Sequence, residues 1–228
     1  MTVVRESSLL SLILILLSNG QGAGSLTQGR DGNLYGTTPE GGIDTGSGTV
    51  FRIAPTGQFT SLYEFCSLSQ CADGWNPGSL VLGVNGNLYG TTGNGGTGNP
   101  NGCGPIGTCG GTFFQITPKG QLTTLYNFCS SSDPQCANGS NPAGRSPVLG
   151  YDGKYYGTAY MGGNTTCFGG CGTVYDVTTA GTLSTFYALQ ANALGEAGPD
   201  GLVLGSNGNF YGLSSTTENL PSPAWSFN

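Results

Sequence analysis

Apolar and polar residues alternate along this chain in short bursts, each cut off by glycine, proline, asparagine or aspartate. Phe59, Ser61, Tyr63 and Phe65 take every second place in one burst, and Leu122, Thr124, Tyr126 and Phe128 take the matching places in another. A period of two is that of a β-strand with one face buried, because successive side chains point to opposite faces. The alternation predicts that each of these sets of four shares one face.

The bursts belong to a repeat. The string GNLYGTT stands at residues 32–38 and returns unchanged at 86–92, with altered copies at 153–159 and 208–214. An apolar stretch ending in glycine precedes each copy, followed by Asp31-Gly32, Asn85-Gly86, Asp152-Gly153 or Asn207-Gly208. These dipeptides tolerate positive φ at both central positions, so a tight two-residue hairpin is predicted, with GNLYG as its return strand. A glycine-rich loop follows, then a second hairpin. Its strands are 48–53 and 59–65 about Pro55-Thr56-Gly57, 111–116 and 122–128 about Pro118-Lys119-Gly120, and 172–177 and 183–189 about Thr179-Ala180-Gly181.

Four short strands per unit, recurring between Tyr35, Tyr89, Tyr156 and Tyr211 at intervals of 54, 67 and 55 residues, predict propeller blades. The expected fold is all-β: a β-propeller-like array of four-stranded antiparallel blades, three complete repeats plus a half repeat, in an incomplete or open ring. Repeats are expected at about 25–72, 73–137, 138–195 and 196–228, within one domain of 25–228. The fourth unit stops after its first hairpin, and the tail from Glu218 to Asn228 shows no second one. A half blade leaves a sheet edge uncovered, which favours a piece of a longer array over four blades with a short last one. Residues 1–24 read as a signal peptide around the apolar run 9–17, or as the remnant of a preceding repeat. No later segment is long and apolar enough to be transmembrane.

Composition narrows the function. Glycine is common, 43 of 228, but 11 Tyr and 10 Phe at regular spacing indicate ordered β structure rather than low complexity. The net charge of -6 includes only six bases, scattered singly, so no surface tracks a phosphate backbone and nucleic acid is not an expected partner. There is no histidine, which removes Ser-His-Asp and Cys-His catalysis, imidazole metal ligation and a histidine switch together.

The eight cysteines fall into neighbouring pairs: Cys66 and Cys71, Cys103 and Cys109, Cys129 and Cys136, Cys167 and Cys171. After the last strand, the first two units carry two cysteines and the third none, with Gln190 in the place of Cys66 and Cys129. In the glycine-rich loop the first unit has none and the next two have two each. Cysteines enter and leave a loop in twos, so four local disulfides and an oxidising compartment are expected. Zinc is the rival reading; the spacings differ in all four pairs and no histidine is available.

For acid–base chemistry only carboxylates remain. Asp31 and Asp152 sit in turns, where turn geometry accounts for them. Glu64 alternates with Tyr63 and Phe65 and is expected to be solvated. Asp44, Asp73, Asp133, Asp200 and Glu218 lie in loops without a recurring partner. The glycine-rich loops lack the Lys-Ser/Thr ending of a phosphate loop, and carry too few acids to point to calcium. No cofactor is expected. Asn138-Gly139-Ser140 and Asn164-Thr165-Thr166 fit the N-glycosylation pattern. The repeated tyrosines are read as packing between blades rather than as a sugar platform. Trp75, alone in a loop beside Asn76-Pro77, is the candidate ligand contact.

Units reading DGNLYGTT, then GG, then GTVFRIAPTGQFTSLYEF, then G-x-N-P (residues 74–77 and 139–142) resemble the GloVer tandem repeat of bacterial choice-of-anchor surface proteins, over about residues 19–215. The resemblance implies an exported, propeller-like repeat protein, often tethered by a C-terminal anchor, with no catalytic residues to carry over. Residues 216–228 depart from that pattern in showing no anchor, so a truncated piece of a longer protein is expected. The expected role is a non-enzymatic, exported or cell-surface module that binds a glycan or a cell-envelope protein. The alternative is a polysaccharide-active hydrolase or lyase with loop carboxylates gathered in a central funnel.

Overall fold

The computed structural model describes residues 25–42, 46–97, 110–130, 132–133, 135–142, 147–166, 169–190, 198–214 and 224–227, with Ser214 and the last four by backbone alone. The expectation for residues 1–24 falls outside these, as do Cys103, Cys109, Cys167, Asp44 and Glu218.

The chain folds into four antiparallel sheets, each built from consecutive strands. The first is β1 (Thr27–Gln28), β2 (Leu34–Thr38), β3 (Thr49–Ile53) and β4 (Phe59–Glu64). In the second, β5 (Trp75–Pro77) and β6 (Val81–Leu82) both pair with β7 (Leu88–Asn94), followed by β8 (Thr112–Ile116) and β9 (Leu122–Asn127). The third is β10 (Val148–Leu149), β11 (Tyr155–Ala159), β12 (Thr173–Val177) and β13 (Leu183–Ala188). The fourth is β14 (Pro199–Leu204), β15 (Phe210–Ser214) and β16 (Ala224–Phe227). The all-β, propeller-like array is as expected, and among the described residues no sheet closes on itself. The fourth unit differs from expectation, because its tail contributes a third strand. Trp225 stands opposite Gly212 as Phe51 stands opposite Gly36, a match that register reveals and residue identity hides.

The first hairpins are not two-residue turns. Gly32 donates its N–H to the Gly29 carbonyl (3.2 Å) and Gly29 to the Asn33 carbonyl (2.8 Å), with Gly32 alone at positive φ (80°). This is a three-residue loop, a turn followed by a left-handed glycine. The cause is the Asp31 side chain, whose Oδ1 accepts the Asn33 N–H (3.1 Å) and holds its own backbone out of the left-handed region. Asn85, Asp152 and Asn207 repeat the contact at 3.1 Å each.

The predicted alternation along the fourth strand also fails, at one residue per sheet. Val50 faces Tyr63 but Phe51 faces Ser61, leaving Leu62 as a bulge; Leu125 and Phe186 take the same place. An extra residue reverses the parity of everything beyond it. Phe59 and Ser61 therefore share the face of Phe51, while Tyr63 joins Val50 on the other. The bulge has a partner in the next sheet: a Cβ at Gly120 would lie 2.6 Å from the Leu62 carbonyl oxygen. Only glycine lets that turn settle on the bulge.

Packing occurs between sheets. Tyr35, Val50 and Phe65 of the first meet Leu80, Leu88, Phe114 and Ile116 of the second. Tyr89, Phe113 and Phe128 of the second meet Tyr155, Ala159, Tyr175 and Val177 of the third. The tyrosine of one sheet lies on the residue preceding the tyrosine of the next, with ring centroids 4.4 Å apart for Tyr89 and Tyr155 and 4.2 Å for Tyr156 and Phe210. Offset rings at such spacing add about 0.5–1.5 kcal/mol beyond the area they bury. The recurring tyrosines are thus joints between sheets.

Candidate functional site

Antiparallel order sends the connections after each second and fourth strand to one end of the sheets, and the short turns to the other. The loop end therefore gathers the glycine-rich segments, the cysteine loops, Asp73, Asp133 and Trp75.

Cys66 is bonded to Cys71 and Cys129 to Cys136, with Cα separations of 4.0 and 4.3 Å. Cys171 is also disulfide-bonded, and no described cysteine is free. Both closed pairs are local, as the sequence indicated, and their loops hold all four cysteines at positive φ. Asp73 organises the first loop. Its carboxylate is fully buried and accepts from the Tyr63 hydroxyl (2.8 Å), the Ser67 N–H (3.0 Å) and hydroxyl (2.9 Å), and the Leu68 N–H (3.2 Å). A buried charge persists when its lone pairs are filled in this way. Burial, with the Asp73 charge adding to it, pushes the Tyr63 phenol up to about 12. In the second loop Asp133 accepts from the Ala137 N–H (2.8 Å) and the Asn138 N–H (2.9 Å). Asn138, in the place of Asp73, accepts from the Thr185 hydroxyl of the third sheet (2.9 Å).

The G-x-N-P linkers are latches. Asn76, at φ 57°, donates its N–H to the Ser47 carbonyl of the preceding unit (2.9 Å), and Asn141, at φ 55°, to that of Gly110 (2.8 Å). The proline then lies on a bare glycine, since a Cβ at Gly48 would be 2.5 Å from Pro77 Cδ and one at Gly111 2.6 Å from Pro142 Cδ. Thr37 and Thr91 secure the same linkers by donating to the carbonyls of Gly78 (2.9 Å) and Pro142 (3.1 Å).

Trp75 is not in a loop. It opens β5 opposite Asn94 and is half-buried, because the linker pairs with the unusually long β7 before the inner strand begins. Among the described residues, exposed aromatics towards this end include Tyr160, Phe186 and Tyr187, which sequence reasoning missed. Tyr187 takes the place of Tyr63 and Tyr126, but its unit has no cysteine loop after the last strand to cover it. Gln190, standing where a cysteine was due, was the available signal.

At the turn end, Asp31 accepts from the Tyr35 hydroxyl (2.7 Å) and the Asn33 amide (2.7 Å), and Asp152 from the Tyr156 hydroxyl (3.0 Å). Burial opposes ionisation of Asp31, but these hydrogen bonds outweigh it and hold the carboxyl below its usual value. Where asparagine stands instead, the bond reverses. Asn85 donates to the Tyr89 hydroxyl (2.9 Å), which in turn donates to Gln115 Oε1 (2.8 Å), and Asn207 donates to Tyr211 (2.8 Å). Asp176, which the sequence did not single out, is buried and paired with Lys154 at 3.2 Å. Glu64, expected in solvent, is half-buried opposite Thr49. Asp200 is exposed on the fourth sheet. Among the described residues no three acids or cysteines gather as a metal site, and no helix is long and apolar enough to cross a membrane.

The Gloeobacter/Verrucomicrobia repeat matches residues 8–219 of this chain. A comparison with curated proteins finds no match. Among solved structures, PorZ of Porphyromonas gingivalis, a bacterial surface component of the type-IX secretion system, superposes with a TM-score of 0.50 at 14% identity over 90% of this chain. A gluconolactonase-family protein gives 0.49 at 15% identity over 92%, and a luciferin-regenerating enzyme 0.47 at 8% over 84%. The chain spans 27%, 60% and 53% of those three proteins respectively. At such identities the likeness concerns the fold alone.

Proposed function

The chain belongs to the Gloeobacter/Verrucomicrobia repeat family, and from that premise we propose that it is an exported, non-enzymatic module whose loop end binds a glycan or a cell-envelope protein. The observation that carries this reading is the employment of the acids. Asp31, Asp73, Asp133 and Asp152 each accept hydrogen bonds that hold a turn or loop in shape, and Asp176 is paired with Lys154. Glycoside hydrolysis needs two carboxyl groups facing one another across a substrate, one of them free to give up a proton. Acids already filled by their own backbone serve that purpose poorly.

Local disulfides support export, because such bonds persist in oxidising compartments. The exposed rings of Tyr160 and Tyr187 at the loop end support recognition, since rigid aromatic faces stack on sugars and anchor protein contacts. The test is a glycan array on the oxidised protein, run beside a reducing-sugar assay on a panel of polysaccharides. Saturable binding that falls at least about tenfold in Tyr187→Ala, a loss of about 1.4 kcal/mol, without sugar release, is the expected result. Release of reducing ends by the wild-type protein would overturn the reading. Silence on the array would limit it to a protein-binding or structural module.

A further inference from the structure

The carbonyl of the second cysteine in each closed pair has the same partners in both loops. That of Cys71 accepts the N–H of Gly74 in its own unit (2.8 Å) and that of Gly96 in the next (2.9 Å). That of Cys136 accepts the N–H groups of Gly139 and Gly163, each at 2.9 Å. Gly96 and Gly163 stand at the base of the glycine-rich loops of the second and third units. A cysteine loop therefore supports a loop that belongs to its neighbour. The support extends across that base, because the Gly95 carbonyl accepts the Gly111 N–H (2.9 Å) and the Gly162 carbonyl that of Gly172 (3.0 Å). In the second unit it reaches the next linker, whose Asn141 N–H bonds the Gly110 carbonyl (2.8 Å).

Backbone conformation says what keeps the two cysteine carbonyls in place. Cys66, Gln70 and Cys71 lie at φ 62°, 58° and 52°, and Cys129 and Cys136 at 52° and 54°. The left-handed region is unfavourable for a residue with a Cβ and persists only where the surroundings impose it. Here a bond between cysteines only 5 and 7 positions apart imposes it on both of its ends. Once that bond is cut, the cysteines are free to return to negative φ, which turns the Cys71 and Cys136 carbonyls away from the glycine N–H groups. The Asp73 carboxylate braces the first loop at Ser67 and Leu68, and that of Asp133 the second at Ala137 and Asn138, beside the cysteines and not at them.

We propose that each cysteine loop is a redox-sensitive clasp: oxidised, it holds the base of the next unit's glycine-rich loop, and reduced by a dithiol, it releases that base. In the reduction one thiolate of the dithiol attacks a cysteine sulfur and displaces the other cysteine as a thiolate. The second thiol then displaces the first cysteine, and the reagent leaves as a cyclic disulfide, its two electrons and two protons now on the cysteine pair. In a reducing compartment the loop end is slack, and in an oxidising one it is set. The clasp stands whether or not the loop end binds a glycan.

The experiment is amide hydrogen exchange by NMR on the full oxidised chain and on two variants, Cys66→Ser with Cys71→Ser and Cys129→Ser with Cys136→Ser. The first variant should exchange at least about tenfold faster at Gly74 and Gly96, with Gly139, Gly163 and the buried residues Tyr89 and Tyr155 as in the wild type. In the second the two pairs of glycines should trade places. In a further arm the wild-type chain is titrated with dithiothreitol and its released thiols are alkylated. Exchange at Gly96 should rise in step with alkylation of Cys66 and Cys71, and exchange at Gly163 with that of Cys129 and Cys136. Unchanged exchange at Gly96 or Gly163 once the corresponding cysteines are replaced or reduced overturns the proposal. So does a rise shared by Tyr89 and Tyr155, which would mean that the disulfides hold the whole fold and not the loop end.

Discussion

The sharpest consequence of the joints is that one substitution, made at equivalent positions, has unequal effects along the array. Tyr89 and Tyr211 occupy the same place in the repeat, and both hydroxyls are held by an asparagine of the preceding turn. Tyr89 is fully buried, 4.4 Å from the Tyr155 ring and 5.9 Å from that of Phe113, and its hydroxyl donates to Gln115. Tyr89→Ala removes an enclosed aromatic and opens a cavity, costing about 3–5 kcal/mol. That is a large share of the roughly 5–15 kcal/mol that holds a domain folded. In a linear array stability is the sum of the sheets and their joints, so loss of the middle joint also lets the two halves unfold apart. Tyr211→Ala acts on a residue already 40% in solvent and should cost about 1 kcal/mol or less, the range of a surface change. Urea unfolding, followed by circular dichroism with disulfides intact, measures both. The expected outcome is a lower midpoint for Tyr89→Ala with a shallower or two-step transition, and a near-native curve for Tyr211→Ala. Equal losses, or a loss below about 1 kcal/mol for Tyr89→Ala, would refute the reasoning.

Asp73→Asn should destabilise by about 1–3 kcal/mol, because an amide cannot accept all four bonds and turns a donor towards donors; thermal unfolding reads the loss. Raising pH should destabilise the protein between about 10 and 12. Tyr63 and Tyr156 are pushed up to about 12 by burial with neighbouring carboxylates, and burial pushes Tyr155 and Tyr175 further. The fold holds these protons more tightly than the unfolded chain, whose phenols titrate near about 10. Their contribution is therefore complete below that pH and lost as pH rises through the folded values. Tyrosinate absorbance should show a class of phenols ionising only in this window, together with unfolding; complete titration of all eleven near pH 10 would contradict it. Trypsin cuts after Arg52, Lys119, Arg145 and Lys154 separate the cysteines into the segments 53–119, 120–145 and 155–228. Non-reducing mass spectrometry should find no disulfide linking one of these to another.

Much of the architecture was legible because it rests on turn chemistry that recurs in identical letters. The dipeptides at 31–32, 85–86, 152–153 and 207–208 mark four hairpins, and the strings around Pro55, Pro118 and Thr179 mark three more. What was hidden lay in register and in side-chain reach. A period-two pattern cannot reveal that Leu62 is an extra residue, since Leu62 is as apolar as a paired strand residue would be. The turn type depended on Asp31 and its equivalents bonding their own backbone, which a dipeptide preference does not encode. The strand at Ala224–Phe227 shares its pairing but few of its letters with Thr49–Ile53. At the loop end, the pairing of Cys66 with Cys71 and of Cys129 with Cys136 was readable because each pair comes and goes as a unit. Trp75 was misplaced because its strand is made by the length of β7, a property of the partner. Tyr187 was overlooked because its exposure follows from what its unit lacks.

The claim on which the rest turns is that each sheet is carried by the next through a tyrosine laid on the residue before its own counterpart. A double-mutant cycle on Tyr89 and Tyr155, each changed to leucine singly and together, tests this most directly. Rings with centroids 4.4 Å apart should show a coupling of about 0.5–1.5 kcal/mol in unfolding free energy. Losses that add, with no coupling beyond about 0.3 kcal/mol, would mean that the two sheets are not joined there.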